Sequence, residues 1–319
     1  MQKTQLATTS LGSTGLDITR VGFGAWAIGG GGWEFGWGPQ ADEESIAAIH
    51  RALELGVNWI DTAAAYGFGH SEAVVGRALE GLAQRPYIFT KASLLDDGTG
   101  HVRHSLKRDS ILREAEASLK RLGVDAIDLY QIHWPDPADD IEEGWAALAE
   151  LKERGLVRHI GVSNFDTAQL RRIREIAPVE TLQPPYSLIE REAEDGILPF
   201  AEREGISVIV YSPMGSGLLT GSITPERIAA MAGDDWRKTD PRFTEPRLSH
   251  HLAIAARLRE VADRHDTTPG AVAVAWTLRN PAVDGAITGF RRPAQVDPIL
   301  AAANLELTDS DVAFIEGRS

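Results

Sequence analysis

The sequence predicts a (β/α)8 TIM barrel with an N-terminal β-hairpin and extra loop and helix insertions, as one domain over residues 1–319. Three observations predict it. First, one junction recurs: an amphipathic segment ends at a glycine and a β-branched or aromatic run begins at once. It occurs at Gly56 before Val57–Ile60, at Gly123 before Val124–Tyr130, at Gly155 before Leu156–Val157, and at Gly205 before Ile206–Tyr211. Second, the apolar runs lack polar–apolar alternation, as strands buried on both faces of a parallel sheet do. Third, helical patterns separate nearly all of about eight such runs, which favours a closed barrel over an open sheet.

Taken in order, residues 5–18 with the turn Gly12-Ser13-Thr14-Gly15 read as a hairpin ahead of the first barrel strand. Strand candidates follow at 19–24, 57–61, 86–91, 126–133, 157–162, 179–183, 206–211 and 283–288. A helix follows Asp42, with Glu43 and Glu44 in its first turn and Ile46, Ile49 and Leu53 on one face. A second carries Ile111, Leu112, Ala115, Leu119 and Leu122, and a third Ile141, Trp145, Leu148 and Leu151. Residues 222–249 are polar and contain proline, and a loop of that length is functional or mobile. No composition break marks a linker.

Composition narrows the function. The chain has no cysteine, which excludes a disulfide framework, a thiolate metal site and a cysteine nucleophile. A net charge of −14 argues against nucleic acid and anionic membranes as partners. The start, MQKTQLATTS, lacks the apolar core of a signal peptide, and no segment reaches the roughly 18 apolar residues of a membrane span. The expectation is a cytoplasmic protein.

The chemistry concentrates at strand ends. In a (β/α)8 barrel, residues at the C-terminal ends of the strands form the active face. Asp61 ends the second strand, Lys91 the third and His133 the fourth, while Tyr66 lies on the loop after the second. Singly, each has an ordinary explanation: a turn cap, a solvated cation, a core histidine, a loop phenol. Together they compose a proton-transfer site. A phenol of ordinary pKa near ~10 is a poor acid at neutral pH, and a nearby ammonium should lower it. A carboxylate keeps that ammonium charged and in place, and a neutral imidazole can orient a carbonyl oxygen. No side chain donates hydride, so a reductase requires a nicotinamide cofactor.

The blocks GFGAWAIGG (22–30), DTAAAYGFGHSE (61–72), FTKAS (89–93), LYQIHWPDP (129–137), GVSNF (161–165), LQPPYSLIER (182–191), YSPMGSGLLTG (211–221) and ITGFRRPAQV (287–296) stand in this order along the chain. With them the sequence resembles the aldo-keto reductase family from about Leu11 to Ile315. The likeness is to a bacterial branch with a YGxGHSE block and a long loop after strand seven. The resemblance implies a catalytic tetrad of Asp61, Tyr66, Lys91 and His133, with the tyrosine as proton donor. It implies that Ser163, Asn164 and Gln183 hold the nicotinamide carboxamide, with Asp61 also at the cofactor, and that Tyr211 stacks on the ring. Ser212, Pro213, Met214, Gly215, Ser216, Gly217 and Leu218 would line the pyrophosphate, with Gly24, Ala25 and Trp26 under the cofactor. The expected substrate pocket is Trp26, Trp33, Tyr66, His133 and Trp134, with Phe35, Trp37 and Phe68 as further aromatic candidates.

One departure concerns the adenosine end. Many family members place Lys-Ser, Arg and Glu-Asn after strand eight, where this chain reads Gly289-Phe290, Gln295 and Pro298-Ile299. Arg291 and Arg292 lie between and can supply the positive charge. NADP(H) is therefore expected to be preferred, with NAD(H) as the alternative, and Arg237 and Lys238 of the long loop as helpers. The expected reaction is NADPH-dependent reduction of small aldehydes or ketones, reversibly. Two rivals remain: an NADPH-binding regulatory or structural subunit with little turnover, and a metal-dependent hydrolase. The hydrolase would need metal ligands at strand ends, but His101, His104, His250 and His251 lie in polar segments, and no metal site is expected. A Rossmann-like spacing, Gly22-Phe23-Gly24-Ala25-Trp26-Ala27, is set aside because Gly29–Gly32 cannot open a helix.

Overall fold

The junction glycines turn the chain as the sequence predicts. Gly56, Gly123, Gly155 and Gly205 have φ of 102°, 65°, 75° and 67°, a region open to glycine at little cost. The computed structural model describes residues 5–318; the first four residues of the N-terminal stretch and Ser319 lie outside them.

The hairpin strands are β1 (Thr8–Ser10) and β2 (Asp17–Thr19), antiparallel with Thr8 opposite Thr19. Next come β3 (Val21–Gly24), α1 (Asp42–Glu54), β4 (Trp59–Asp61), α2 (His70–Leu79) and β5 (Tyr87–Ala92). A second hairpin, β6 (Leu94–Asp96) and β7 (Val102–His104), leads into α3 (Arg108–Leu122) and β8 (Ile127–Ile132). The alternation continues through α4 (Ile141–Glu153), β9 (Val157–Ser163), α5 (Thr167–Arg174), β10 (Thr181–Gln183), α6 (Ile197–Glu204) and β11 (Ser207–Val210). The last part holds α7 (Pro225–Ala229), α8 (Arg247–Arg264), α9 (Pro269–Leu278), β12 (Gly285–Gly289), α10 (Val296–Leu300) and α11 (Asp309–Ile315). The parallel barrel runs β3-β4-β5-β8-β9-β10-β11-β12 and closes where Ala286 pairs with Val21. It is the (β/α)8 barrel expected, with all eight strand candidates in it.

Side chains alternate along each strand, so one face fills the barrel and the other meets the helices. Trp59, Phe89, Leu129, Ile209 and Ile287 form an inner cluster, closed from below by Leu11, Leu16 and Ile18 of the hairpin region. Ile60, Ile88, Tyr130, Ile132, Val208 and Val210 belong instead to the outer core under the helices. Gly22 makes room for the largest inner side chain, since a Cβ there would stand 2.2 Å from the Trp59 ring. The Trp59 indole N–H donates to Thr19 O at 2.8 Å, which ties the plug to the barrel.

Two local readings need correction. Asp42 begins α1 rather than preceding it; its carboxylate accepts from Arg77 (2.7 Å) and contacts His70 (2.9 Å) on α2. Residues 222–249 are not a plain loop. They contain α7, capped by Thr224 with Pro225 in its first turn, short turns capped by Asp235 and Asp240, and the start of α8. The β6–β7 hairpin had no counterpart in the sequence reading. The glycine pattern after β3 gives only a short 3₁₀ turn at Trp26–Ile28, so the Rossmann spacing opens no α-helix. Among the described residues no helix is long and apolar enough to cross a membrane.

Candidate active site

Two residues above the inner apolar layer, the same strands carry a polar one. Trp59 is followed on its face by Asp61, Phe89 by Lys91, and Leu129 by Gln131 and then His133. Lys91 Nζ donates to Asp61 Oδ1 at 2.5 Å, to Thr62 O at 3.0 Å and to the Tyr66 hydroxyl at 3.4 Å. An ammonium has three protons, and all three are thus engaged. Gln183 Nε2 donates to Asp61 Oδ2 at 2.9 Å. The Tyr66 and His133 rings meet edge to face with centroids 5.6 Å apart. All four residues expected at the barrel mouth are together there.

Electrostatics follow from burial, with the Lys91 side chain at 0% exposure and Asp61 at 3%. Desolvation pushes Asp61 up and Lys91 down, toward the neutral pair, and their close contact opposes both shifts. Burial, then the Lys91 charge, hold His133 well below the usual histidine value, so its imidazole is neutral. The Tyr66 phenol goes the opposite way from the expectation: burial, then the Asp61 carboxylate, raise it well above the ordinary value. Desolvation of the phenolate outweighs the ammonium here, and the group holds its proton.

The positions assigned to a cofactor line the neighbouring strand ends. Ser163 Oγ donates to Gln183 O (2.8 Å), and Asn164 Nδ2 donates to His133 O (2.9 Å). Asn164, at φ +63°, accepts the Tyr211 hydroxyl on Oδ1 at 2.8 Å. Ser212, Gly215, Ser216 and Gly217 all have positive φ and curl the loop into a concavity, within which the Gly215 and Gly217 N–H groups donate to Ser212 O (2.9 Å) and Met214 O (3.1 Å). Among the described residues the buried Ser216 hydroxyl, Gln131 Nε2 and His133 Nδ1 have no hydrogen-bond partner. Arg237 stands over this loop, 3.7 Å from where a Gly217 Cβ would lie, paired with Asp235 (2.6 Å) and stacked 4.3 Å from the Trp37 ring. A pyrophosphate suits that concavity, its free hydroxyl and its cation. Lys238 does not join; its ammonium donates to Met231 O (3.1 Å) on its own loop.

Beyond β12 the expected residues divide. Phe290 is buried against Phe23 at 5.5 Å and Leu218 lies in a core cluster with Ile223 and Phe243, so each has only its main chain left for a ligand. Arg291 is committed to Gln40 Oε1 (2.8 Å) and Pro39 O (2.5 Å). Gln295 accepts from the Arg291 and Arg292 N–H groups and fixes that turn. The exposed Arg292 guanidinium enters no ion pair among the described residues. Gly24 ends β3 and Ala25 follows it, its N–H donating to Asp61 O at 2.8 Å, and Gly289 ends β12 beside Gly24.

Aromatic rings wall the mouth. Trp26 stacks on Tyr66 (6.3 Å), Trp33 lies 6.4 Å from it, and Trp134 is 42% exposed. Met214 packs against the outer core and Pro213 is buried. Sequence reasoning missed Gln131, whose Oε1 lies 3.5 Å from Gln183 Nε2. Its position two before His133 was the available signal. It also missed Trp236, which the long segment lays on Trp26 at 5.2 Å and 18°. Among the described residues no three His, Asp or Glu side chains are grouped to hold a metal ion.

The comparisons with known proteins agree with this geometry. The sequence pattern of the aldo/keto reductase family matches residues 20–318. The chain is 41% identical over 306 residues to aldo-keto reductase YhdN of Bacillus subtilis, covering 95% of this chain and 90% of that protein. It is 34% identical over 321 residues to the NADH-specific methylglyoxal reductase of Escherichia coli, covering 96% of each. The solved glycerol dehydrogenase AKR11B4 of Gluconobacter oxydans superposes with a TM-score of 0.86 at 37% identity, covering 100% of this chain and 95% of that one. With its barrel, its strand-end residues and these relatives in accord, the chain belongs to the aldo/keto reductase family of nicotinamide-using oxidoreductases.

Proposed function

We propose that this protein is an NADPH-preferring reductase of small aldehydes or ketones, reversible toward alcohol oxidation, with Tyr66 as proton donor. The observation that carries the reading is the buried Lys91 ammonium, joined at once to Asp61 and to the Tyr66 hydroxyl. A bound nicotinamide supplies the hydride, which no side chain can. The chain's own residues do the rest. Burial keeps the Tyr66 proton in place until a carbonyl oxygen beside it gains negative charge. Lys91, held by Asp61, then stabilises the phenolate left behind. The neutral His133 orients the carbonyl oxygen without competing for the proton. Such a positioned acid contributes about 10²–10⁴-fold.

Ser163, Asn164 and Gln183 supply the donors and acceptors an amide needs, and the concavity at 212–218 receives the pyrophosphate. Arg292, exposed and in no ion pair among the described residues, and its neighbour Arg291, which feels the Arg237 charge, support a 2′-phosphate and hence NADPH. The Escherichia coli relative is named as NADH-specific, so the assay must run with both cofactors. Nicotinamide absorbance across aldehydes, ketones, dicarbonyls and sugars tests the reading; relatives named for methylglyoxal and glycerol make short substrates the first to try. Tyr66→Phe should lower carbonyl reduction about 10²–10⁴-fold while cofactor still binds. Unchanged turnover refutes the assignment.

A further inference from the structure

The strand that carries Lys91 ends in a constrained turn. Ser93 has φ +90°, a conformation rarely taken by a residue with a side chain. It is fixed from several sides. Its N–H donates to Glu114 Oε2 at 3.0 Å, and its carbonyl accepts from Ser105 N–H at 3.0 Å. Its hydroxyl lies 3.3 Å from Trp134 N and 3.4 Å from Trp134 O. One residue earlier, Ala92 O accepts from His133 N–H at 2.9 Å. A single turn therefore couples the end of β5 to the two residues after β8 that face the barrel mouth.

The anchor of this turn lies outside the barrel. Glu114 projects from α3, 6% exposed, and its second oxygen accepts the Ser110 hydroxyl at 3.1 Å. The ionisable groups facing it are Glu72 of α2, Arg103 of β7 and Tyr130 of β8. None forms an ion pair with it. The nearby Arg121 of the same helix is committed to Glu72, which also accepts the Thr90 hydroxyl at 2.6 Å. A carboxyl buried without a cation is costly where packing alone is needed, since an apolar residue would fill the space at less cost. What this one does with its position is hold Ser93.

We propose that Glu114 is a positioning residue: acting through the Ser93 turn, it sets the placement of Trp134 and His133 and so the docking of the carbonyl substrate. The proposal rests on the reading of the barrel mouth given above. Burial, reinforced by the Glu72 charge, raises the Glu114 carboxyl to about 7. Its charge therefore changes across the neutral range. The ionised form is the stronger acceptor for the Ser93 N–H. As pH falls through about 7 the turn loosens, and KM for the carbonyl rises.

Two measurements test this on the whole protein, one of them independent of activity. Glu114→Ala should raise carbonyl KM about tenfold, while kcat and NADPH affinity by tryptophan quenching stay within about twofold. Glu114→Gln keeps an acceptor for Ser93 and a donor for Ser110. It should recover most of the KM and lose the inflection near neutral pH that the parent shows. Ser93→Gly, which accepts the positive φ but lacks the hydroxyl, should raise KM as Glu114→Ala does; it carries the test if the alanine variant does not fold. The second readout is the fluorine resonance of Trp134 in fluorotryptophan-labelled protein, assigned with Trp134→Phe. It should titrate near neutral pH in the parent and not in Glu114→Gln. An unchanged KM in Glu114→Ala and Ser93→Gly, or a Trp134 titration that survives Glu114→Gln, overturns the proposal. A parent that turns over no carbonyl while Trp134 still titrates through Glu114 counts against the catalytic reading and supports the positioning one.

Discussion

The two layers inside the barrel come from the same strands, two residues apart, and are equally closed to water. The lower layer, Trp59, Phe89 and Leu129, gains stability directly from being buried. The upper layer, Asp61, Lys91 and Gln131, is 2%, 1% and 0% exposed and loses hydration by the same act. It persists because each of its charges meets a partner: Lys91 meets Asp61, Thr62 O and Tyr66, and Asp61 meets Gln183. The lesson is that burial serves opposite ends. Below it supplies stability; above it strengthens the Lys91–Asp61 field acting on Tyr66, because a low-dielectric site screens less.

Separating the two layers by mutation gives the largest expected effects. Lys91→Met leaves the Asp61 carboxylate buried without its cation, which costs about 3–5 kcal/mol. Carbonyl turnover falls in parallel by about 10²–10⁴-fold. Adding Asp61→Asn removes the orphaned charge, so the double variant should regain most of the stability and none of the turnover. Urea unfolding and the absorbance assay read the two quantities separately. A single variant as stable as the double would mean that the pair is not compensating itself. In the lower layer, Trp59→Leu should cost about 2–3 kcal/mol through the cavity and the lost bond to Thr19 O, with kcat per folded molecule within about twofold. A fall in kcat to match the fall in stability would show that the layers are coupled and erase the contrast.

The readable part of this molecule is the part set by short-range pattern. Glycine junctions and unbroken apolar runs define all eight barrel strands, and once those are placed, Asp61, Lys91 and His133 are at strand ends by counting. What escaped needed three dimensions. Glu114 looks like a surface residue on a charged helix, between Arg113 and Ala115, and only the packing of α3 against β5 buries it. The rise of the Tyr66 phenol escaped for the same reason, since the neighbouring ammonium was visible in the sequence and the completeness of burial was not. Phe290 sits in a block assigned to the cofactor yet turns into the core against Phe23. The hairpin β6–β7 and the capped turns near Trp236 are short and polar, without the periodicity that marks an element.

The smallest expected effect lies where the polar layer gives way to solvent. Arg292 is exposed and in no ion pair among the described residues, so a phosphate beside it meets a screened charge, unlike the buried contact of Lys91 with Tyr66. Arg292→Glu should therefore lower the NADPH-to-NADH ratio of kcat/KM about tenfold, or roughly 1.4 kcal/mol. The change with NADH and the shift in Tm should both be slight, because no ion pair is broken. Arg291→Glu would not be a clean comparison, since Arg291 holds Gln40 and Pro39 and its loss disturbs the turn itself. Higher salt should shrink the Arg292 effect and leave that of Lys91→Met untouched, which makes ionic strength the control for both. A preference for NADPH that survives Arg292→Glu would shift the assignment to Arg237. That guanidinium sits over the 212–218 concavity with its charge already shared with Asp235, and it would then be the group that tells the two cofactors apart.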